Sequence, residues 1–109
     1  MSQEIVVLVT AGSEDEARNI AKIIVQKGLV ACVNIIPKIQ SVFTWDGAVT
    51  EEQESLLIAK TTMKAFEKLE SAIKTLHSYS VPEIIALPIH AGSLEYLSWV
   101  RETVNTKEA

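Results

Sequence analysis

Residues 29–61, LVACVNIIPKIQSVFTWDGAVTEEQESLLIAKT, decide the fold. Leu29 to Ile36 is an apolar, β-branched run with no helical period, and alternation resumes after Pro37 at Ile39, Ser41 and Phe43. Asp46-Gly47, flanked by Trp45 and Ala48, is a strong two-residue hairpin signal, because both positions of such a turn need positive φ. The return strand runs from Val49 to about Thr61, polar through Glu51-Glu52-Gln53-Glu54 and apolar through Leu56-Leu57-Ile58. Each arm would be about 13–15 residues, against a usual strand of about 5–6. The strands predicted on either side are only about half as long, so the hairpin must project beyond the body at about 3.3 Å per residue.

Working outward, Ile5-Val6-Val7-Leu8-Val9 reads as a buried first strand. Ser13 followed by Glu16 is a capping box, and Ala17, Ile20, Ala21 and Ile24 mark one helical face ending at Lys27-Gly28. Phe66, Leu69, Ile73 and Leu76 define a second amphipathic helix. Pro82 breaks the chain, and Glu83 to His90 reads as a fourth strand that Pro88 puts at a sheet edge or bulge. Gly92-Ser93 opens a last helix with Leu94, Leu97 and Val100 on one face, and residues 106–109 read as a frayed tail. This order is the split βαβ of an α+β ferredoxin-like sandwich (βαββαβ plus a C-terminal helix), with sheet order 4-1-3-2 and two helices on one face. The chain is expected to form a single domain over residues 1–109. A long outer arm carrying Ile39, Val42 and Phe43 invites aggregation unless other copies of the chain cover it, which implies a closed oligomer.

Composition narrows the function. Apolar residues make up 48% of the 109, enough for a core without disulfides or a structural metal. Net charge is −4, which disfavours a nucleic-acid surface, and no apolar run approaches a membrane span. The start lacks the pattern of a signal peptide, and the lone Cys32 suits a reducing compartment, so a cytoplasmic location is expected. No nucleophile-base order, paired acid-base carboxylates or phosphate loop is present, and no enzyme is expected. Thr10-Ala11-Gly12-Ser13 lacks the Cys-x-x-Cys of a metallochaperone, and Arg18 lies inside the first helix rather than in an acylphosphatase-type loop.

The chain resembles the divalent-cation tolerance family, CutA, from Val6 to Trp99. The resemblance is carried by Ala31-Cys32-Val33-Asn34-Ile35, Ser41 through Gly47, Glu54 through Thr61, His77 through Ile84, and Tyr96-Leu97-Ser98-Trp99. It implies a homotrimer similar in architecture to PII signalling proteins, with a role in the response to copper and other divalent metals. Some bacterial members resemble copper binders through a first-strand cysteine and a His-His pair. Here those positions read Val9 and Leu76-His77, so only His77 carries over.

His77 is the candidate metal ligand, with Glu83 as a possible second, and weak copper or other divalent-cation binding is expected. The competing reading of His77 is a charged imidazole complementing the second helix's C-terminus. Cys32 reads as core packing, and His90 as surface or structural. Glu51, Glu52 and Glu54 read as a solvated edge, with Glu52 and Glu54 on one face, or as cross-chain partners of Lys38 or Lys60. The resemblance further suggests that Trp45, Lys60, Tyr79, Glu83 and Trp99 gather at an inter-subunit pocket. Such a pocket would take a small anion or metabolite; interface packing is the alternative. No cofactor is required by any of these readings. The competing function is a PII-like small-molecule sensor or assembly scaffold in which metal binding is incidental.

Overall fold

The computed structural model describes residues 3–104, and the tail expected at 106–109 lies outside them. Its elements run β1 (Glu4–Ala11), α1 (Glu14–Gln26), β2 (Cys32–Trp45), β3 (Ala48–Thr62), a 3₁₀ turn (Met63–Ala65), α2 (Phe66–Leu76), β4 (Ile84–Pro88) and α3 (Leu94–Thr103). The antiparallel sheet has the order β2-β3-β1-β4, the expected one.

Alternation splits the sheet into two unlike faces. Ile5, Val7, Val9, Leu57 and Ala59 point toward the helices and pack with Ile20, Ile24, Leu69 and Ile73 in one buried core. At about 25 cal/mol per Å² of apolar area removed from water, this layer is the main source of stability. The opposite face carries Leu8, Ile36, Leu56, Ile58, Ile85 and Leu87, and Ile36, Ile85 and Leu87 are half-exposed there. The helix side is therefore a closed core, and the other side is an open apolar sheet.

The two arms are 14 and 15 residues long, as the sequence predicts. Asp46 and Gly47 have φ of 51° and 78°, the paired positive values of a type I′ turn. Between Ile36 and Ile39 the register shifts, and Lys38 takes a φ of 60°. Pro37 has no amide to give the ladder, so Pro37 and Lys38 together oppose one residue of β3 as a bulge. That insertion keeps Ile36 and Ile39 on the same face.

Three boundaries depart from the reading above. β2 begins at Cys32, because Leu29–Ala31 is a buried connection whose Leu29 amide returns to the Ile24 carbonyl at 3.0 Å. β4 is confined to Ile84–Pro88, since Pro82 delays its start and Pro88 cannot extend the donor pattern. Leu94 is not on the packed face of α3; it is 82% exposed, while Val100 and Val104 bury against Ala31 and Ala65. The helix docks through its C-terminal half, where Arg101 also pairs with Glu4 at 2.9 Å.

Candidate functional site

The site grows from the junction of β1, α1 and the segment after α2. Ser13 caps α1 by accepting from the Glu16 amide at 3.1 Å. The Glu16 side chain reaches further than a capping box requires. It accepts from the Gly12 amide at 3.3 Å, from the Ser78 amide at 2.7 Å and from the Ser78 hydroxyl at 3.1 Å. Burial pushes the Glu16 carboxyl up, but the two Ser78 bonds, His77 and the Gly12 amide outweigh it and hold the group below its ordinary value.

His77 follows α2 with its side chain fully enclosed. Its Nε2–H donates to the Thr10 carbonyl at 2.7 Å, and its Nδ1 accepts from the Tyr79 amide at 3.0 Å. A carbonyl can only accept and an amide can only donate, so the pattern defines the neutral, Nε2-protonated tautomer. Nδ1 also lies 3.7 Å from a Glu16 carboxylate oxygen, so a proton on that nitrogen would face the carboxylate. Both ring nitrogens are committed to backbone groups.

That bonding orients Tyr79, whose ring lies 4.7 Å from the imidazole and whose hydroxyl donates to Glu54 at 2.7 Å. Only a small residue fits beneath it: a Cβ at Gly12 would stand 3.2 Å from the Tyr79 oxygen. Burial first, then the Glu54 bond and the charges of Glu54, Glu16 and Glu52, push the Tyr79 phenol up to about 12.

Between this loop and the projecting hairpin lies a groove of about 780 Å³. Its walls include Phe43, Trp45 and Tyr79, and its carboxylates are Glu52, Glu54 and Glu83. Of the five residues expected at an inter-subunit pocket, Trp45, Tyr79 and Glu83 line this groove within one chain. Lys60 and Trp99 do not. Lys60 stands at the far end of the open sheet face, opposite Cys32 and bonded to the Asn34 side-chain oxygen. Trp99 packs on Tyr96 of α3, ring centroids 5.5 Å apart. Within this one chain, no lysine, arginine or histidine is among the residues lining the groove.

Cys32 is half-buried on the open face rather than in the core, because even-numbered positions at this end of β2 point away from the helices. The Tyr96 phenol beside it is raised by burial first and then by the thiol. His90 is exposed, as expected for a surface residue. Glu54 is buried and bonded, so it is not part of a solvated edge. Sequence reasoning missed Glu16, Thr10 and Glu54 as parts of the site. Glu16 carried a visible signal, the capping box, but one that accounts for it locally and hides its reach to Ser78. Among the described residues, no group of three or more His, Cys, Asp or Glu side chains is arranged to hold a metal ion.

These features define a ferredoxin-like α+β protein with an extended hairpin and an acidic, aromatic groove at its root. The family model for "CutA1 divalent ion tolerance protein" matches residues 5–103. The chain belongs to that family. It is 56% identical over 99 residues to the divalent-cation tolerance protein CutA of Thermus thermophilus, covering 91% of this chain and 96% of that one. The chloroplastic protein CutA of Arabidopsis thaliana is 46% identical over 99 residues, and the match covers 91% of this chain but 54% of that one, so the chain spans about half its length. A solved structure of the divalent cation tolerance protein from Thermus thermophilus superposes with a TM-score of 0.91 at 54% identity, covering 94% of this chain and 99% of that one.

Proposed function

We propose that this chain is a single CutA-like domain that assembles as a PII-like homotrimer. Its role is in the cytoplasmic response to divalent metal ions, through binding or signalling and without turnover. The observation that carries the assembly is the open sheet face. Ile36, Ile85 and Leu87 stand half-exposed on it, continuous with a hairpin whose Trp45 is 71% exposed. Apolar area of this extent, next to a 14-residue edge strand, favours burial against further copies of the chain. The metal role is supported by membership of a family named for divalent-ion tolerance. No helix among the described residues is long and apolar enough to cross a membrane. The free thiol of Cys32 fits a reducing compartment.

Metal binding on this reading is weak. His77 and Glu83 are the candidate ligands, with copper preferred at the imidazole. An ion taking His77 must displace either the Thr10 carbonyl or the Tyr79 amide, and water or a neighbouring subunit must complete its shell. Light scattering should return three times the 12.0 kDa chain mass, and a stable monomer would overturn the assembly. Copper titration should give weak binding that declines further in His77→Gln. A tight site indifferent to that substitution would remove His77. The second reading, a PII-like small-molecule sensor or scaffold, is favoured by one observation, the groove beside Tyr79.

A further inference from the structure

The helix layer carries a second groove, on the side of the sheet away from the face that further copies of the chain would cover. Its volume is about 650 Å³, within the range of small-molecule sites, roughly 300–1,000 Å³. Leu29, Ala72 and Leu76 form its apolar floor, and Lys27 at the end of α1 stands at its rim with Lys68 and Ser71 of α2. The space follows from local chemistry. Gly28 takes a φ of 72°, which lets the Gly28 and Leu29 amides fold back onto the Val25 and Ile24 carbonyls at 3.0 Å each. That closure buries Leu29 beneath the helix end, and Ala72 is too small to fill the gap beside it.

The charges around this groove have one sign. No Asp, Glu or His is among its lining residues, and both lysines are. Neither Lys27 nor Lys68 has an ion pair among the described residues, whereas Lys74 of the same layer pairs with Glu70 at 3.3 Å. On a chain whose net charge is −4, this is a local reversal of sign. The negative end of α1 does not cancel it, because the Ile23, Ile24 and Val25 carbonyls already accept from the amides of Lys27, Leu29 and Gly28. A metal cation is therefore repelled, and an anion is attracted. Ammonium groups act as compact point charges and suit phosphate oxygens, whereas a planar carboxylate is better matched by the fork of arginine. Bare phosphate would leave the apolar floor unused.

We propose that this groove binds a phosphate monoester with a small apolar or aromatic body. Lys27 and Lys68 balance the phosphate charge, Ser71 adds a hydroxyl, and Leu29, Ala72 and Leu76 take the apolar part. Every residue named lies on the helix side of one chain, so the inference goes beyond the assembly and metal reading and does not require it.

The test titrates the intact protein with phenyl phosphate, inorganic phosphate and phenol while heat and the amide resonances of Leu29 and Ala72 are followed. Phenyl phosphate should bind about tenfold tighter than either fragment and should weaken as salt is added. Lys27→Gln combined with Lys68→Gln should lower its affinity about tenfold, while Lys74→Gln, outside the groove, should change it less than about twofold. Ala72→Leu fills the floor without touching either lysine and should also abolish binding, with circular dichroism confirming the fold. Equal affinity for phenyl phosphate and inorganic phosphate would mark an adventitious ion only and overturns the proposal. So does no binding to folded protein, a loss in Lys74→Gln as large as in the double variant, or full binding by folded Ala72→Leu. Light scattering on the same samples separates the two readings. A monomer that binds phenyl phosphate removes the trimer alone, and a trimer that ignores it removes this site alone.

Discussion

The Tyr79 hydroxyl donates to a Glu54 carboxylate oxygen at 2.7 Å, tying the segment after α2 to the root of the projecting hairpin. Two groups 25 residues apart thus hold one wall of the groove against the other. Tyr79→Phe removes the donor and leaves a buried carboxylate short of a partner, at a cost of about 2 kcal/mol in urea unfolding. The pH dependence has a definite sign. The phenol is raised in the folded chain, so its contribution is complete below about 10 and is lost as pH rises through about 12. Absorbance titration at alkaline pH should lose the Tyr79 component near 12 in the variant and keep that of Tyr96.

Glu16 should govern the acid limb. Its carboxyl is held below 4.5 by the Ser78 bonds, His77 and Gly12 against the opposing effect of burial. Its contribution is therefore present above 4.5 and lost as pH falls through the lower folded value. Glu16→Gln can accept from only one of the two backbone amides it faces, and should cost about 1–2 kcal/mol at neutral pH. The variant should also flatten the stability decline below 4.5. An acid limb as steep as the parent's would contradict the assignment.

Adjacent threonines should respond with opposite signs. Thr61 donates its hydroxyl to the Leu29 carbonyl at 2.6 Å inside the fold, whereas the Thr62 hydroxyl is buried without a partner among the described residues. Thr61→Val is expected to destabilise by about 1–2 kcal/mol, since it also orphans a carbonyl. Thr62→Val removes an uncompensated polar atom and should stabilise by about 0.5–1 kcal/mol. Urea midpoints of the two variants measure the difference directly.

A charge on the open face should report on assembly. Leu87 stands half-exposed on β4, opposite Val6 and away from the helices. Leu87→Glu is expected to lower the light-scattering mass to that of one chain while leaving the far-ultraviolet circular dichroism unchanged. A full-size assembly in the variant would show that the β4 side of this face is not the contact.

The sheet order, the hairpin and both long arms could be read from the sequence because each rests on local patterns. Asp46-Gly47 fixes a turn whatever surrounds it, and the apolar run through Leu57 has the period of a strand. The site was only half legible. The grouping of Trp45, Tyr79 and Glu83 comes from resemblance rather than from a local pattern, and their distance from Lys60 within one chain depends on which end of the sheet each register position occupies. His77 is the instructive case. Nothing in its neighbours reveals that Thr10, 67 residues earlier, offers the carbonyl that accepts its Nε2–H hydrogen bond. Leu94 failed for a related reason: helical spacing identifies a face, but only packing decides where along the helix that face stops being covered.

The position of β1 at the centre of the sheet sets an order of events in time. Both of its hydrogen-bonded neighbours lie downstream, with Glu4 pairing to Thr62 and Val7 pairing to Ala86. The hairpin closes across two residues, whereas β1 must wait for a loop spanning half the chain, an entropic delay that local contacts avoid. During refolding the hairpin amides near Trp45 and Ala48 should therefore gain protection from hydrogen exchange before those of β1. The most buried strand of the finished molecule is, on this account, among the last to be secured.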